Sequence, residues 1–302
     1  MRSGYIAIVG RPNVGKSTLL NRILQQKISI TSSKPQTTRH RVLGIKTSVE
    51  AQAIYVDTPG LHKAEKKAMN RIMNRTAVKT LNEVDVVLMV VDSIIWIEED
   101  ELVYLRTKQA NASVILVINK IDKIKDKERL LPILQQKSDL NFFKQIVPVS
   151  AKSGKQVEQL EREILKFLPE GIAYYPEDQI TDRSSRFLVA EIVREKLMRQ
   201  MGQEIPYSTT VEIEQFEEEE KLNRIAAIIW VERDSQKNMV IGKQGLRLKE
   251  IGKQARVDIE KLLHTKVYLQ LWVKVKEGWS DNERSLQSLG YGDGAKSEFG
   301  DK

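Results

Sequence analysis

The 302-residue sequence contains no cysteine. Disulfide frameworks and thiolate metal sites are therefore excluded. Histidine is nearly as scarce, with three residues at His40, His62 and His264, and their spacing matches no metal-ligand pattern. No apolar run approaches the ~20 residues that a bilayer-spanning helix needs. The longest, Val84 to Ile97, is interrupted by Asp85 and Asp92. The opening MRSGYIAIVG reads as a strand almost at once, so no signal peptide is expected. These absences point to a cytoplasmic protein.

Charge, by contrast, is abundant and uneven. The formal net charge is +8. Val211 to Asp234 holds eight acids and three bases, whereas Lys237 to Lys276 holds ten bases and three acids. Such a basic block is either a footprint for phosphates or a solvated helix face.

Residues 1–168 alternate apolar runs with amphipathic stretches. The runs are Ile6–Val9, Ala53–Val56, Val86–Val91, Val114–Ile118 and Ile146–Val149. The amphipathic stretches lie near 65–81, 99–110, 126–138 and 155–168. Strands that are apolar throughout are buried on both faces, as in a parallel sheet covered by helices. The fold class expected is therefore α/β, doubly wound, over 1–168. Residues 169–183 read as a linker. Residues 184–290 follow the order α-β-β-α-α-β, and the Gly-rich stretch 291–302 is expected to be disordered.

Gly10-x4-Gly15-Lys16-Ser17 stands between the first strand and a helix, the context a phosphate-binding loop requires. Its glycines let backbone N–H groups curl round a phosphate. Lys16 offers a charge to the β and γ oxygens, and Ser17 offers a hydroxyl to Mg²⁺. The base is chosen elsewhere. Asp57-Thr58-Pro59-Gly60 and Asn119-Lys120-Ile121-Asp122 each end an apolar strand, at the carboxyl edge where ligands bind. Asp57 can hold Mg²⁺ through a bridging water, and the Gly60 amide can reach the γ-phosphate. Asp122 can accept both N1–H and the amine of guanine, a donor pair adenine lacks. Asn119 suits the other edge of the base, and the Lys120 stem can cover the ring. Ser150-Ala151-Lys152 can aim a backbone N–H at guanine O6. Together with the phosphate loop, these resemble the motif set of the GTP-binding proteins. That resemblance implies a site of Asn13, Val14, Gly15, Lys16, Ser17, Thr18, Asp57, Thr58, Pro59, Gly60, Asn119, Lys120, Asp122, Ser150, Ala151 and Lys152 for GTP or GDP. Lys16, Thr38 and Gly60 would act in catalysis, and Ser17, Thr38 and Asp57 would serve the metal. Thr37 is the alternative to Thr38. Where many GTPases carry a water-orienting glutamine, this chain has Leu61, so slow intrinsic hydrolysis is expected.

A second glycine-bounded loop, Ile241-Gly242-Lys243-Gln244-Gly245, lies within the basic block. Paired glycines before an apolar-periodic helix match the way a KH domain clamps a nucleic-acid backbone. Arg247 and Lys249 extend the candidate RNA contact. Leu246, Leu248, Ile251 and Ala255 are expected to face the sheet, and Ile241 and Ile251 to line a groove for bases. Trp230 and Trp272 read as core. Trp279 reads equally as packing and as RNA contact.

A GTPase domain followed by a type II KH domain is similar to the Era family of bacterial ribosome-assembly GTPases. The resemblance covers about residues 3–292. It rests on GRPNVGKSTLLN, QKISITSSKPQTTRHR, YVDTPGLH, YPEDQITDRS, VIGKQG and LWVKVKEGW. It implies binding to the 3′ end of 16S ribosomal RNA, a role in 30S maturation, a monomer, and peripheral contact with the inner face of the cell membrane. Relatives with an asparagine at the Asn13 position imply K⁺ as a second cation. Two other readings stay open: an RNA-tethering adaptor with GTP as a structural ligand, and a GTPase whose second domain binds protein or membrane.

Overall fold

The computed structural model describes residues 1–61, 67–93, 95–124, 130–202 and 205–291. The described residues divide into two compact units. One lies within Met1–Thr31, Thr38–Lys66 and Asn70–Asp182, the other within Ser32–Thr37, Lys67–Met69 and Arg183–Lys302.

The first unit is a six-stranded sheet. Its strands are β1 (Arg2–Val9), β2 (Val42–Thr47), β3 (Ala51–Asp57), β4 (Val86–Asp92), β5 (Ser113–Asn119) and β6 (Gln145–Pro148), in the order β2-β3-β1-β4-β5-β6. All neighbours pair in parallel except β2 and β3. Ile6, Ala7 and Ile8 of β1 and Val86 to Val90 of β4 are wholly buried, as strands covered on both faces must be. The helices are α1 (Lys16–Leu24), α2 (Ala68–Leu81), α3 (Glu98–Thr107), α4 (Leu130–Ser138) and α5 (Val157–Leu165). The chain leaves β1 towards β3 on one side and reaches β4 on the other. The carboxyl end of β1 is therefore the point where strand order reverses and a crevice opens.

Strand β2 is absent from the apolar runs. It pairs antiparallel at the sheet edge, and Gly44 divides its apolar residues. A one-sided edge strand carries a weaker signal than a central one.

The second unit packs α6 (Ser185–Gln200), α7 (Asp234–Ile241) and α8 (Leu246–Leu263) on a sheet of β7 (Thr210–Glu217), β8 (Leu222–Val231) and β9 (Lys266–Val275). β7 pairs antiparallel and β9 parallel with β8. Ser184 caps α6, its hydroxyl accepting the Phe187 amide at 3.3 Å. Val189, Val193 and Leu197 of α6 and Ile251, Ala255 and Ile259 of α8 form stripes of period four. They meet Ile229, Val231 and Val267 of the sheet. A short α9 (Glu283–Ser288) follows.

Two tryptophans correct or complete the sequence reading. Trp272 is not core: it is 54% exposed. Val267, Leu269, Leu271 and Val273 pack inward, and strand alternation puts Tyr268 and Trp272 on the uncovered face. Trp279 is fully buried, stacks near Tyr291 and donates its indole N–H to the Ser208 carbonyl at 3.2 Å. Among the described residues no helix is long and apolar enough to cross a membrane. The stretch 291–302 was expected to be disordered, but Tyr291 is buried and its hydroxyl lies 2.9 Å from that of Thr210. Residues 292–302 and His62 lie outside the described residues.

Candidate nucleotide site and nucleic-acid loop

The phosphate loop leaves β1 at Gly10 and enters α1 at Lys16. Gly15 has φ 102°, and a Cβ there would lie 2.4 Å from Asn119 Nδ2. Only glycine lets the loop close over the strand ends. The Lys16 ammonium is buried and donates to the Gly10 and Arg11 carbonyls, both at 3.0 Å. Burial pushes it down to about 8, with the Asp57 carboxylate acting the other way. Gly60 sits beside it: a Cβ there would approach Lys16 Nζ to 3.2 Å. Val14, Thr58, Pro59 and Gly60 are buried, and the Thr58 hydroxyl donates to the Ile8 carbonyl at 3.0 Å. Thr18 is half-buried on the first turn of α1.

Next to Lys16, hydroxyls gather on one carboxylate. Asp57 is wholly buried, and its Oδ2 accepts from Ser17 at 2.7 Å, Ser29 at 2.8 Å and Thr38 at 3.4 Å. Ser17 Oγ and Thr38 Oγ1 lie 2.8 Å apart. Thr37 faces elsewhere, its hydroxyl donating to the Lys34 carbonyl at 2.6 Å. Burial pushes the Asp57 carboxyl above its ordinary value, and the Ser17 hydroxyl and Lys16 charge oppose it. Asp57 Oδ1 is buried without a hydrogen-bond partner among the described residues. Such an orphan acceptor beside three hydroxyls suits a hard, oxygen-seeking cation.

On the other flank the base motifs converge. Asp122 is exposed, and its Oδ1 accepts the Ser150 hydroxyl at 2.6 Å. Asn119 is buried as a brace. Its Nδ2 donates to the Val14 carbonyl at 2.8 Å, and its Oδ1 accepts the amides of Lys120 at 2.8 Å and Ala151 at 2.9 Å. Of the backbone amides of Ser150-Ala151-Lys152, that of Ala151 is thus engaged by Asn119. Lys120 donates to the Asn13 carbonyl at 2.6 Å and to Asp92 at 2.8 Å, which stretches its stem along the loop. Asn13 is exposed, with φ 65°. Lys152 is exposed, and its carbonyl accepts from Arg22 at 2.5 Å.

In the second unit, Gly242 ends α7 with φ 73° and its amide bonds to the Asn238 carbonyl at 2.9 Å. Gly245 opens α8 with φ 74°. Lys243 and Gln244 between them are exposed, as is Lys249, while Ile241 is half-buried against the core. The Arg247 guanidinium folds back to the Met239 carbonyl at 2.6 Å, where it meets the negative end of α7. Two expectations fail here. Leu246 is 63% exposed, because at 3.6 residues per turn it lies about 140° from Ile251 around the helix. Ile251 is 0% exposed in the core, so it cannot line a groove for bases.

A family model described as 50S ribosome-binding GTPase matches residues 5–120, and a KH domain model matches residues 204–280. The chain is 60% identical to GTPase Era of Pseudomonas fluorescens over 292 residues, covering 97% of each. It is 58% identical to GTPase Era of Glaesserella parasuis, covering 95% of this chain and 96% of the relative. The chain belongs to the Era family of GTPases. Its fold is that of Era: a P-loop α/β domain and a KH domain. An Aquifex aeolicus Era variant bound to GDP·AlF4⁻ superposes with a TM-score of 0.94 at 44% identity, covering 97% of this chain and all of that one. Era in complex with MgGDPNP and nucleotides 1506–1542 of 16S ribosomal RNA superposes at 0.93, also with 44% identity, covering 97% and 99%.

Several residues that support the site belong to none of its motifs. Asp92 ends β4 as Asp57 and Asn119 end their strands, a placement that could have singled it out. Arg22 holds the Ala151 and Lys152 carbonyls at 3.1 and 2.5 Å, and Arg11 pairs with buried Asp100 at 3.0 Å. Neither pairing has a sequence signature. Leu61, at the usual glutamine position, is 4% exposed and packs in the core between the sheet and α2.

Proposed function

We propose that this chain binds GTP with Mg²⁺, hydrolyses it slowly, binds the 3′ region of 16S ribosomal RNA through its KH domain, and assists 30S maturation. The observation carrying this is the meeting of Lys16, the Ser17–Thr38–Asp57 cluster and Asp122 on one sheet edge. The Ser17 and Thr38 hydroxyls and the buried Asp57 carboxylate offer the oxygen ligands that a hard cation such as Mg²⁺ takes. Mg²⁺ supplies charge neutralisation at the β and γ oxygens. Ser17, Thr38 and Asp57 would hold it.

Lys16 exchanges its loop carbonyls for phosphate oxygens, and the Gly60 amide meets the γ-phosphate. Water attacks the γ-phosphorus, the bond to the β–γ bridging oxygen breaks, and GDP and phosphate leave. A buried leucine offers that water no hydrogen bond, which is why the intrinsic rate is slow. The GTPase domain spans 1–168, a linker 169–183 and the KH domain with its C-terminal segment 184–290. Gly242, Lys243, Gln244, Gly245, Arg247, Lys249 and Ile241 form the RNA contact. The protein acts as a cytoplasmic monomer on the 30S subunit, with peripheral membrane contact.

The test is a paired titration. RNA carrying the 3′ end of 16S rRNA is expected to tighten a GTP analogue by roughly 5- to 150-fold, and the analogue to tighten RNA equally. Absence of coupling in both directions refutes the switch. Asn13, exposed in the phosphate loop, would help hold K⁺. Phosphate release is expected to rise several-fold when K⁺ replaces Na⁺; equal rates remove that role.

A further inference from the structure

Ser29 belongs to none of the phosphate, metal or base motifs, yet its hydroxyl reaches the carboxylate on which the metal site depends. It donates to Asp57 Oδ2 at 2.8 Å and is 4% exposed. Ser17 and Thr38 also reach that oxygen, but both are donors the cation itself would orient. Ser29 is fixed by the protein instead. Asn21 Oδ1 accepts the amides of Ile28 and Ser29, each at 3.0 Å, and Asn21 Nδ2 donates to the Ser29 carbonyl at 2.7 Å. Ile28 and Ile30, 3% and 4% exposed, anchor the segment on either side. Asn21 stands on α1 one turn beyond Ser17, so the clamp is referenced to the helix that carries Lys16 and Ser17.

We propose that Ser29 is a positioning residue for the magnesium–nucleotide site. Its hydroxyl holds Oδ2 of Asp57 and leaves Oδ1, the oxygen without a partner among the described residues, to the cation's shell. A carboxylate turns readily about its last torsion. A fixed donor on one oxygen removes that freedom, and at 0% exposure no bulk water replaces the donor. The proposal rests on reading Asp57 as the Mg²⁺ residue.

The test uses the full chain and a non-hydrolysable GTP analogue, titrated in EDTA and across a Mg²⁺ series. Ser29→Ala is expected to leave the affinity in EDTA unchanged. It should raise the Mg²⁺ concentration for half-maximal tightening roughly ten- to a hundred-fold, the usual effect of removing a group that orients a metal ligand. Ser29→Cys keeps the side-chain shape but weakens the donor, and should shift the midpoint in the same direction. A wild-type midpoint in Ser29→Ala, or one restored by cysteine, overturns the proposal, as does a loss confined to EDTA. A wild type bound equally tightly with and without Mg²⁺ would overturn the metal reading and this proposal together. Failure to bind the analogue at all would instead overturn the nucleotide reading.

Discussion

Asp122→Asn is expected to weaken GTP by two to four orders of magnitude while strengthening xanthosine triphosphate. The carboxylate would accept two hydrogen bonds from guanine, and each such bond to a charged group contributes about 1.5–3 kcal/mol. Losing both amounts to roughly 3–6 kcal/mol, and each 1.4 kcal/mol is about tenfold. An amide turns a donor towards the guanine amine. Xanthine presents a carbonyl there, which restores a complementary pair. The change keeps side-chain shape, and Asp122 is exposed, so stability should be unaffected. Direct titration with fluorescent GTP, ATP and xanthosine triphosphate decides it. An unchanged GTP preference would remove Asp122 from base selection.

Gly242→Asp and Gly245→Asp are each expected to lower RNA affinity about a hundredfold, or roughly 2.7 kcal/mol. Both positions carry a left-handed φ, which costs an L-residue about 1–2 kcal/mol. Both would also bring a negative charge to a loop meant to meet phosphates. They differ in packing. A Cβ at Gly242 would lie 2.7 Å from the Arg247 Cβ, whereas at Gly245 nothing lies within 4 Å. Gly242→Asp should therefore also lower the unfolding midpoint of the KH domain, and Gly245→Asp should lower it less. RNA titration at fixed salt, with GTP affinity as the control, separates the effects. Undiminished RNA binding by both variants would place the RNA path away from this loop.

The central strands were legible because burial on both faces leaves runs such as Val86 to Val91 no polar alternation. Edge strand β2 was not, since Gly44 splits its apolar residues and Lys46 and Thr47 follow them. Helix α8 was legible as a stripe, but the stripe's end was misjudged. Leu246 is apolar like its neighbours, and only its angle around the axis separates it from Ile251. Trp272 shows the same limit in a strand: its period was plain, but which face the helices cover depends on distant residues.

In the nucleotide site, the phosphate loop and the Asp57 and Asp122 motifs could be placed from spacing alone. Each is a short local segment at a strand end, where backbone geometry demands particular residue types. The supporting contacts could not. Ser29 meets Asp57 across 28 residues and Arg22 meets Lys152 across 130. Sequence by itself determined the family and the order of the central elements, and it offered the groups that can face phosphate and base, because those are local requirements of chemistry. Tertiary structure alone decided which hydroxyls converge on Asp57, which carbonyls hold Lys16 and which face of β9 meets solvent. Those depend on how separate segments pack, and packing follows from burial shared among residues far apart in the chain.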